Sequence, residues 1–121
     1  IPPSKAKDDP LYDDRMVQML SIAAEGTEYD IRELVRQKAS TDSAHCSSSR
    51  PTPQSLLNNY TIENDLENPR PQNIILCDDV LTTGAHFIAC KNLLSSAFDG
   101  VPIIGLFIAR RVPTSDDPWG C

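Results

Sequence analysis

Asp78 and Asp79 are adjacent carboxylates. They follow an apolar run, Ile74-Ile75-Leu76, and precede a run of small residues, Thr82-Thr83-Gly84-Ala85, closed by His86. Small residues that open a helix leave N–H groups without intrahelical partners, and these form an anion cup at the positive end of the helix dipole. Gly84 lets a phosphate approach the backbone closely, and the hydroxyls of Thr82 and Thr83 add donors. Two carboxylates facing such a cup would repel a bare phosphate. They suit a ligand with hydroxyls next to its phosphate, because a carboxylate accepts hydrogen bonds from a sugar diol; they can also steady a divalent cation, directly or through water. Cup and diol clamp together point to a ribose 5-phosphate.

Such a loop needs a strand before it and a helix after it, with the ligand lying beyond the carboxyl end of the strand. Residues 73–77 read as a strand buried on both faces of a parallel sheet, with a turn beginning at Asp78. Ile88, Leu93, Leu94 and Ala97 recur at helical spacing over residues 85–97, and Asp99-Gly100 ends that helix. The apolar run of residues 101–109 predicts a second buried strand, closed by Arg110-Arg111. Strand, helix and strand in that order form a βαβ unit and imply a parallel sheet.

Further upstream, residues 1–4 could be the end of a strand. Met16, Met19, Leu20 and Ala23 predict a helix over residues 12–24, with Asp13 and Asp14 in its first turn and Gly26 as its stop. Residues 31–38 fit either helix or strand, and strand is preferred on their place in the order. The Ser/Thr-rich residues 39–52 cannot build a core and read as a mobile loop. A short helix is expected over residues 53–60 and a polar connector over residues 63–72. Residues 112–121 form a tail that carries Trp119.

The string of apolar strand, two acids, apolar residues and Thr-Thr-Gly-Ala resembles the ligand loop of type I phosphoribosyltransferases. Within that group it is most similar to ComF-like and other bacterial phosphoribosyltransferase-domain proteins. Ile1-Pro2-Pro3, Arg50-Pro51-Thr52-Pro53-Gln54 and Ile108-Ala109-Arg110 extend the resemblance thinly over most of the chain. It implies one α/β domain over residues 1–121: a parallel-sheet phosphoribosyltransferase-like core with helices on both faces and a small or missing hood. By the resemblance, Asp78 and Asp79 hold the ribose hydroxyls of phosphoribosyl pyrophosphate at the reacting centre. Thr82, Thr83, Gly84, Ala85 and His86 hold the 5-phosphate, and Ser4-Lys5 lies where the family holds pyrophosphate. The loop 39–52 becomes a flexible lid, and Mg2+ is the implied cofactor. The implied activity is transfer of the phosphoribosyl group to a nitrogen acceptor with release of pyrophosphate. The alternative is a non-catalytic sensor or protein-interaction module of the same fold. Departures from the pattern are His86, where the family has Thr or Ser, residues 4–10 without glycine or arginine, and the lack of a ComF-type zinc ribbon.

The remaining residues narrow the partners. The chain has 121 residues, room for one compact domain, and a net charge of −6, which argues against a broad basic face for nucleic acid. A ligand of phosphoribosyl pyrophosphate or a nucleotide 5-phosphate stays compatible with that charge. No apolar run predicts a membrane span, and the polar, proline-rich start predicts no signal peptide. The chain opens on Ile1 rather than Met, so a trimmed start is expected. The four cysteines form no CxxC pair; Cys77 and Cys90 read as buried thiols of a cytoplasmic protein. Further candidates for ligand contact are Arg36, Lys38 and Arg50 beside the lid, Arg110-Arg111 at the strand end, and Trp119; His45 reads as solvated. A homodimer or a protein partner is left open.

Overall fold

The computed structural model describes residues 1–3, 5–39 and 51–112. It is a small α/β structure with helices α1 (Arg15–Ala23), α2 (Pro53–Asn59) and α3 (Ala85–Ala97), and strands β1 (Val35–Gln37), β2 (Tyr60–Ile62), β3 (Ile74–Leu81) and β4 (Ile103–Arg110). A 3-10 turn, Asn64–Leu66, precedes β3. β3 and β4 pair in parallel, from Ile74 opposite Ile103 to Leu81 opposite Arg110. β1 and β2 form a separate antiparallel pair.

Local chemistry accounts for the boundaries. Thr52 caps α2, its hydroxyl accepting from Ser55 N at 3.2 Å, and Pro53 takes the first turn, where a missing N–H costs nothing. α1 starts later than its apolar spacing predicts. Asp13 turns back to accept from the backbone N–H and guanidinium of Arg15, so neither Asp13 nor Asp14 enters the first turn. Gly26, at φ 76°, follows the helix end. β4 begins at Ile103 because Pro102 has no N–H; the Pro102 carbonyl instead accepts from Ile74 N at 2.9 Å.

Two expectations need revision. Residues 1–3 are not part of a strand, and β3 does not turn at Asp78. The ladder with β4 carries β3 on to Leu81, whose carbonyl accepts from Arg111 N at 2.9 Å. The carboxylate pair therefore stands inside the final half of the strand. The short strand β2, where a helix end and connector were expected, pairs with β1 and explains why residues 35–37 are extended.

The core gathers around α3. Ala89, Cys90 and Leu94 pack with Leu34, Val35, Leu56, Tyr60, Leu76 and Phe98. The β3–β4 sheet buries one face against α3. On its other face Ile75, Ile104, Leu106 and Ile108 are exposed, Ile108 at 65%. β4 is thus covered on one face, while β3 buries Leu76 on one face and Cys77 on the other. Of the expected lid loop 39–52, residues 40–50 lie outside the described residues, as do tail residues 113–121.

Candidate functional site

Asp78 and Asp79 lie near the carboxyl end of β3, Asp78 half-buried and Asp79 exposed. Each turns one oxygen to the next backbone N–H: Asp78 Oδ1 accepts from Asp79 N at 2.9 Å, and Asp79 Oδ1 accepts from Val80 N at 2.6 Å. Burial pushes the Asp78 carboxyl above the usual carboxylate range, and the neighbouring Asp79 charge adds to the rise. An incoming cation or a set of hydroxyl donors would favour its ionised form.

Both aspartates line a cavity of about 350 Å3 that also takes in Lys5, Lys7, Arg15 and Arg36. Residues seventy positions apart in the chain thus meet, and one of them, Lys5, is the cation the resemblance singles out. The cations are already engaged. Lys7 pairs with Glu33 at 2.6 Å, Arg36 with Glu63 at 2.7 Å, and Arg15 with Asp13. Tyr12 also donates to Glu33; burial and that bond push the Tyr12 hydroxyl up to about 12. Burial would raise the Glu33 carboxyl, but hydrogen bonds from Lys7 and Tyr12 outweigh it and hold the group below its ordinary value.

Beyond the carboxylates the chain enters the small-residue loop. Thr82 and Thr83 are exposed, and Gly84, at φ 81°, is the cap residue of α3 and offers no side chain to its first turn. Ala85 N reaches Thr83 Oγ1 at 3.3 Å. An uncapped helix start opened by glycine is a plain anion-binding geometry. His86 departs from that role in part: its Nδ1 lies 2.7 Å from Tyr60 Oη. One ring nitrogen therefore faces the protein, and only Nε2 is left for a ligand.

The cavity wall ends at Asp79, and residues 82–86 lie past it along the chain, so the carboxylate pair is the joint between cavity and cup. Ser4, His45, Arg50 and Trp119 lie outside the described residues. Lys38 is turned away to donate to Asn58 O at 3.0 Å, and Arg110 stands opposite Leu81 at the end of β4. Sequence reasoning missed Lys7, Arg15, Gln37 and Tyr60. None belongs to a local motif, and only the antiparallel β1–β2 pair and the approach of the N-terminal segment bring them in.

Among the described residues no group of three or more His, Cys, Asp or Glu side chains could hold a metal ion. Two adjacent carboxylates still match the hard-oxygen chemistry of a Mg2+ that arrives on phosphates and keeps several waters. Among these residues no helix is long and apolar enough to cross a membrane. Comparison with known proteins finds no family model, no curated protein and no solved structure that matches the chain.

Proposed function

We propose that the chain binds phosphoribosyl pyrophosphate and transfers its phosphoribosyl group to a nitrogen acceptor, in a phosphoribosyltransferase-like α/β core. One observation carries this reading. The Asp78–Asp79 pair stands at the end of a strand in a parallel pair, with a cavity lined by both cations and carboxylates on one side and the glycine-opened start of α3 just beyond Leu81. That juxtaposition supports the reading, with hydroxyl acceptors and phosphate donors on one short connecting segment.

In this reading Asp78 and Asp79 accept hydrogen bonds from the ribose hydroxyls, and the amides from Thr82 to His86 hold the 5-phosphate. As the acceptor nitrogen bonds to the anomeric carbon, the bond from that carbon to the diphosphate oxygen breaks and both its electrons leave with pyrophosphate. The acceptor's proton passes to pyrophosphate or water. Asp78, half-buried beside a carbon gaining positive charge, stabilises the transition state more than the ground state. Mg2+, when bound, would neutralise the diphosphate; Asp78 and Asp79 are the residues that would meet it. Lys5 lines the cavity where the leaving group would lie.

A second reading, ligand binding without turnover, draws on the ion pairs. Lys7, Arg15 and Arg36 are each held by a carboxylate and are not free to receive pyrophosphate unless those pairs open. Calorimetric titration with phosphoribosyl pyrophosphate and Mg2+ tests both readings, with the double variant Asp78→Asn/Asp79→Asn as the control. Binding by the unmutated chain, weakened at least about tenfold in the variant, is expected for a diol held by charge-assisted hydrogen bonds. No binding by the unmutated chain would overturn both. Pyrophosphate release on adding an acceptor separates the first from the second.

A further inference from the structure

The ladder with β3 uses only part of the backbone of β4. The Pro102 carbonyl accepts from Ile74 N at 2.9 Å, and the register is constant from Ile74 opposite Ile103 to Asp78 opposite Phe107. In a parallel ladder alternate residues face the partner, so Ile104 and Leu106 turn their N–H and C=O groups to β3. Ile103, Gly105 and Phe107 turn theirs the other way. Among the described residues no strand pairs with that outer edge. A row of open strand groups is a template for another strand.

The two edges of this sheet are not equally guarded. β3 carries Asp78 and Asp79, and charge on an edge strand discourages pairing. Residues 103–109 hold neither a charge nor a proline. On their exposed face Ile104, Leu106 and Ile108 form an apolar stripe beside the open edge. Charge stands only at the ends of the segment, Asp99 before it and Arg110-Arg111 after it, and all three residues are exposed. Turned end for end, the segment sets each charge beside its opposite, so the strand it fits best is its own copy.

We propose that two copies of the chain pair antiparallel through the outer edges of β4, about a two-fold axis at Gly105. Gly105 then faces Gly105, and Ile103 of each copy faces Phe107 of the other. Each outward N–H and C=O of these residues finds a partner. The same register sets Arg111 beside Asp99 of the second copy, and Ile104 against Leu106 on the exposed face. The interface is the same patch on both copies and closes at two, while the aspartates on β3 discourage further growth. It involves β4 alone and holds whatever the ligand of the Asp78–Asp79 site.

Sedimentation equilibrium of the whole chain under reducing conditions should show a reversible monomer–dimer equilibrium in the micromolar range. Arg111→Glu should weaken the dimer about tenfold, because two charge attractions become repulsions, and the exchanged variant Asp99→Arg/Arg111→Glu should restore it. Cysteine cross-linking reads the register. Ile104 and Leu106 of opposite copies form a pair without hydrogen bonds, its Cα atoms about 4.5 Å apart and within disulfide reach. Oxidising a mixture of Ile104→Cys and Leu106→Cys chains should give a linked dimer above the level set by the native cysteines; either variant alone should not. A monomer at every concentration, open-ended assembly, or a dimer indifferent to the charge exchange and to the cysteine positions would overturn the proposal. Should a cysteine variant fail to fold, the variants at the exposed Asp99 and Arg111 decide.

Discussion

Tyr60 Oη lies 2.7 Å from His86 Nδ1, joining the first residue of β2 to the first turn of α3. Tyr60 is almost fully buried, and burial drives its hydroxyl far above the ordinary phenol range; that hydroxyl also donates to the Pro3 carbonyl at 3.4 Å, so the direction of its bond with His86 follows the imidazole tautomer. Burial favours the neutral imidazole. Burial lowers the His86 pKa below 6.5, in keeping with that form. The pair anchors the start of α3, the proposed phosphate site, and ties that helix to the β1–β2 sheet.

Tyr60→Phe keeps the ring and removes the hydroxyl that meets His86 Nδ1. A partly buried nitrogen left without its partner should cost about 1–3 kcal/mol in denaturant unfolding. In the unmutated chain the folded pKa of His86 is below the unfolded one, so the unfolded state binds more protons between the two values. Stability contributed by the neutral imidazole is present above pH 6.5 and is lost as pH falls through the folded pKa. NMR titration of the imidazole ring should place its midpoint below 6.5. A midpoint at or above 6.5 in the unmutated chain would contradict the assignment.

Asp78 has the opposite sign. Its folded pKa is raised by burial and by Asp79, so in the window above the unfolded value the folded state keeps the extra proton. Stability falls as pH rises through that window, and the full cost of the buried charge is present at neutral pH. Asp78→Asn retains the oxygen that accepts from Asp79 N and deletes the charge. Its Tm should exceed that of the unmutated chain at pH 7 by a few degrees, and the gain should vanish below about pH 3.9, the ordinary aspartate value. A stabilising substitution that abolishes ligand binding is the pattern of a site that trades stability for function.

The parts of this arrangement differ in how far the sequence reveals them. The helix over residues 85–97 has the bounds of α3, because apolar spacing and Asp99-Gly100 act within the segment itself. The parallel partnership of β3 and β4 follows from chain order. The length of β3 does not: Asp78 and Asp79 look like a turn, and only the neighbouring strand holds them extended. β2 is three residues long and has no strand signal without β1 beside it. The carboxylates and the small-residue loop were legible as local chemistry. Gln37 and Tyr60 were not, since what matters in each is a partner more than twenty residues away.

Gly84 and Gly105, both in the βαβ unit, should behave differently. Gly84 has φ 81°, with its nearest side-chain neighbour at ordinary contact distance, so Gly84→Ala pays for the left-handed backbone, about 1–2 kcal/mol, and perturbs the cup. Gly105 has ordinary backbone, but an added Cβ would lie 2.8 Å from ring carbons of Phe87 and Phe107, which meet edge to face. Gly105→Ala should cost about 1–3 kcal/mol through overpacking. Inorganic phosphate titrated by NMR separates them: Gly84→Ala should weaken its binding at the Thr82–Ala85 amides, and Gly105→Ala should not. Equal loss in both would mean that the cup depends on the Phe pair beneath it.

The exposed face of the β3–β4 sheet gives the last contrast. Leu94, 2% exposed, sits in the core, whereas Ile104 at 59% and Ile108 stand on the uncovered face. Leu94→Ala should cost about 2–5 kcal/mol, the lost transfer energy plus the cavity left behind. Ile104→Thr removes apolar surface that folding leaves in water and keeps a β-branched residue in the strand, so its cost should stay within about 0.5 kcal/mol. Urea unfolding at two well-separated protein concentrations checks both. If Ile104→Thr loses far more than that, and more at the higher concentration, the face is covered by association in solution. If it loses little at either, the isolated chain holds together through the α3 side of the sheet alone.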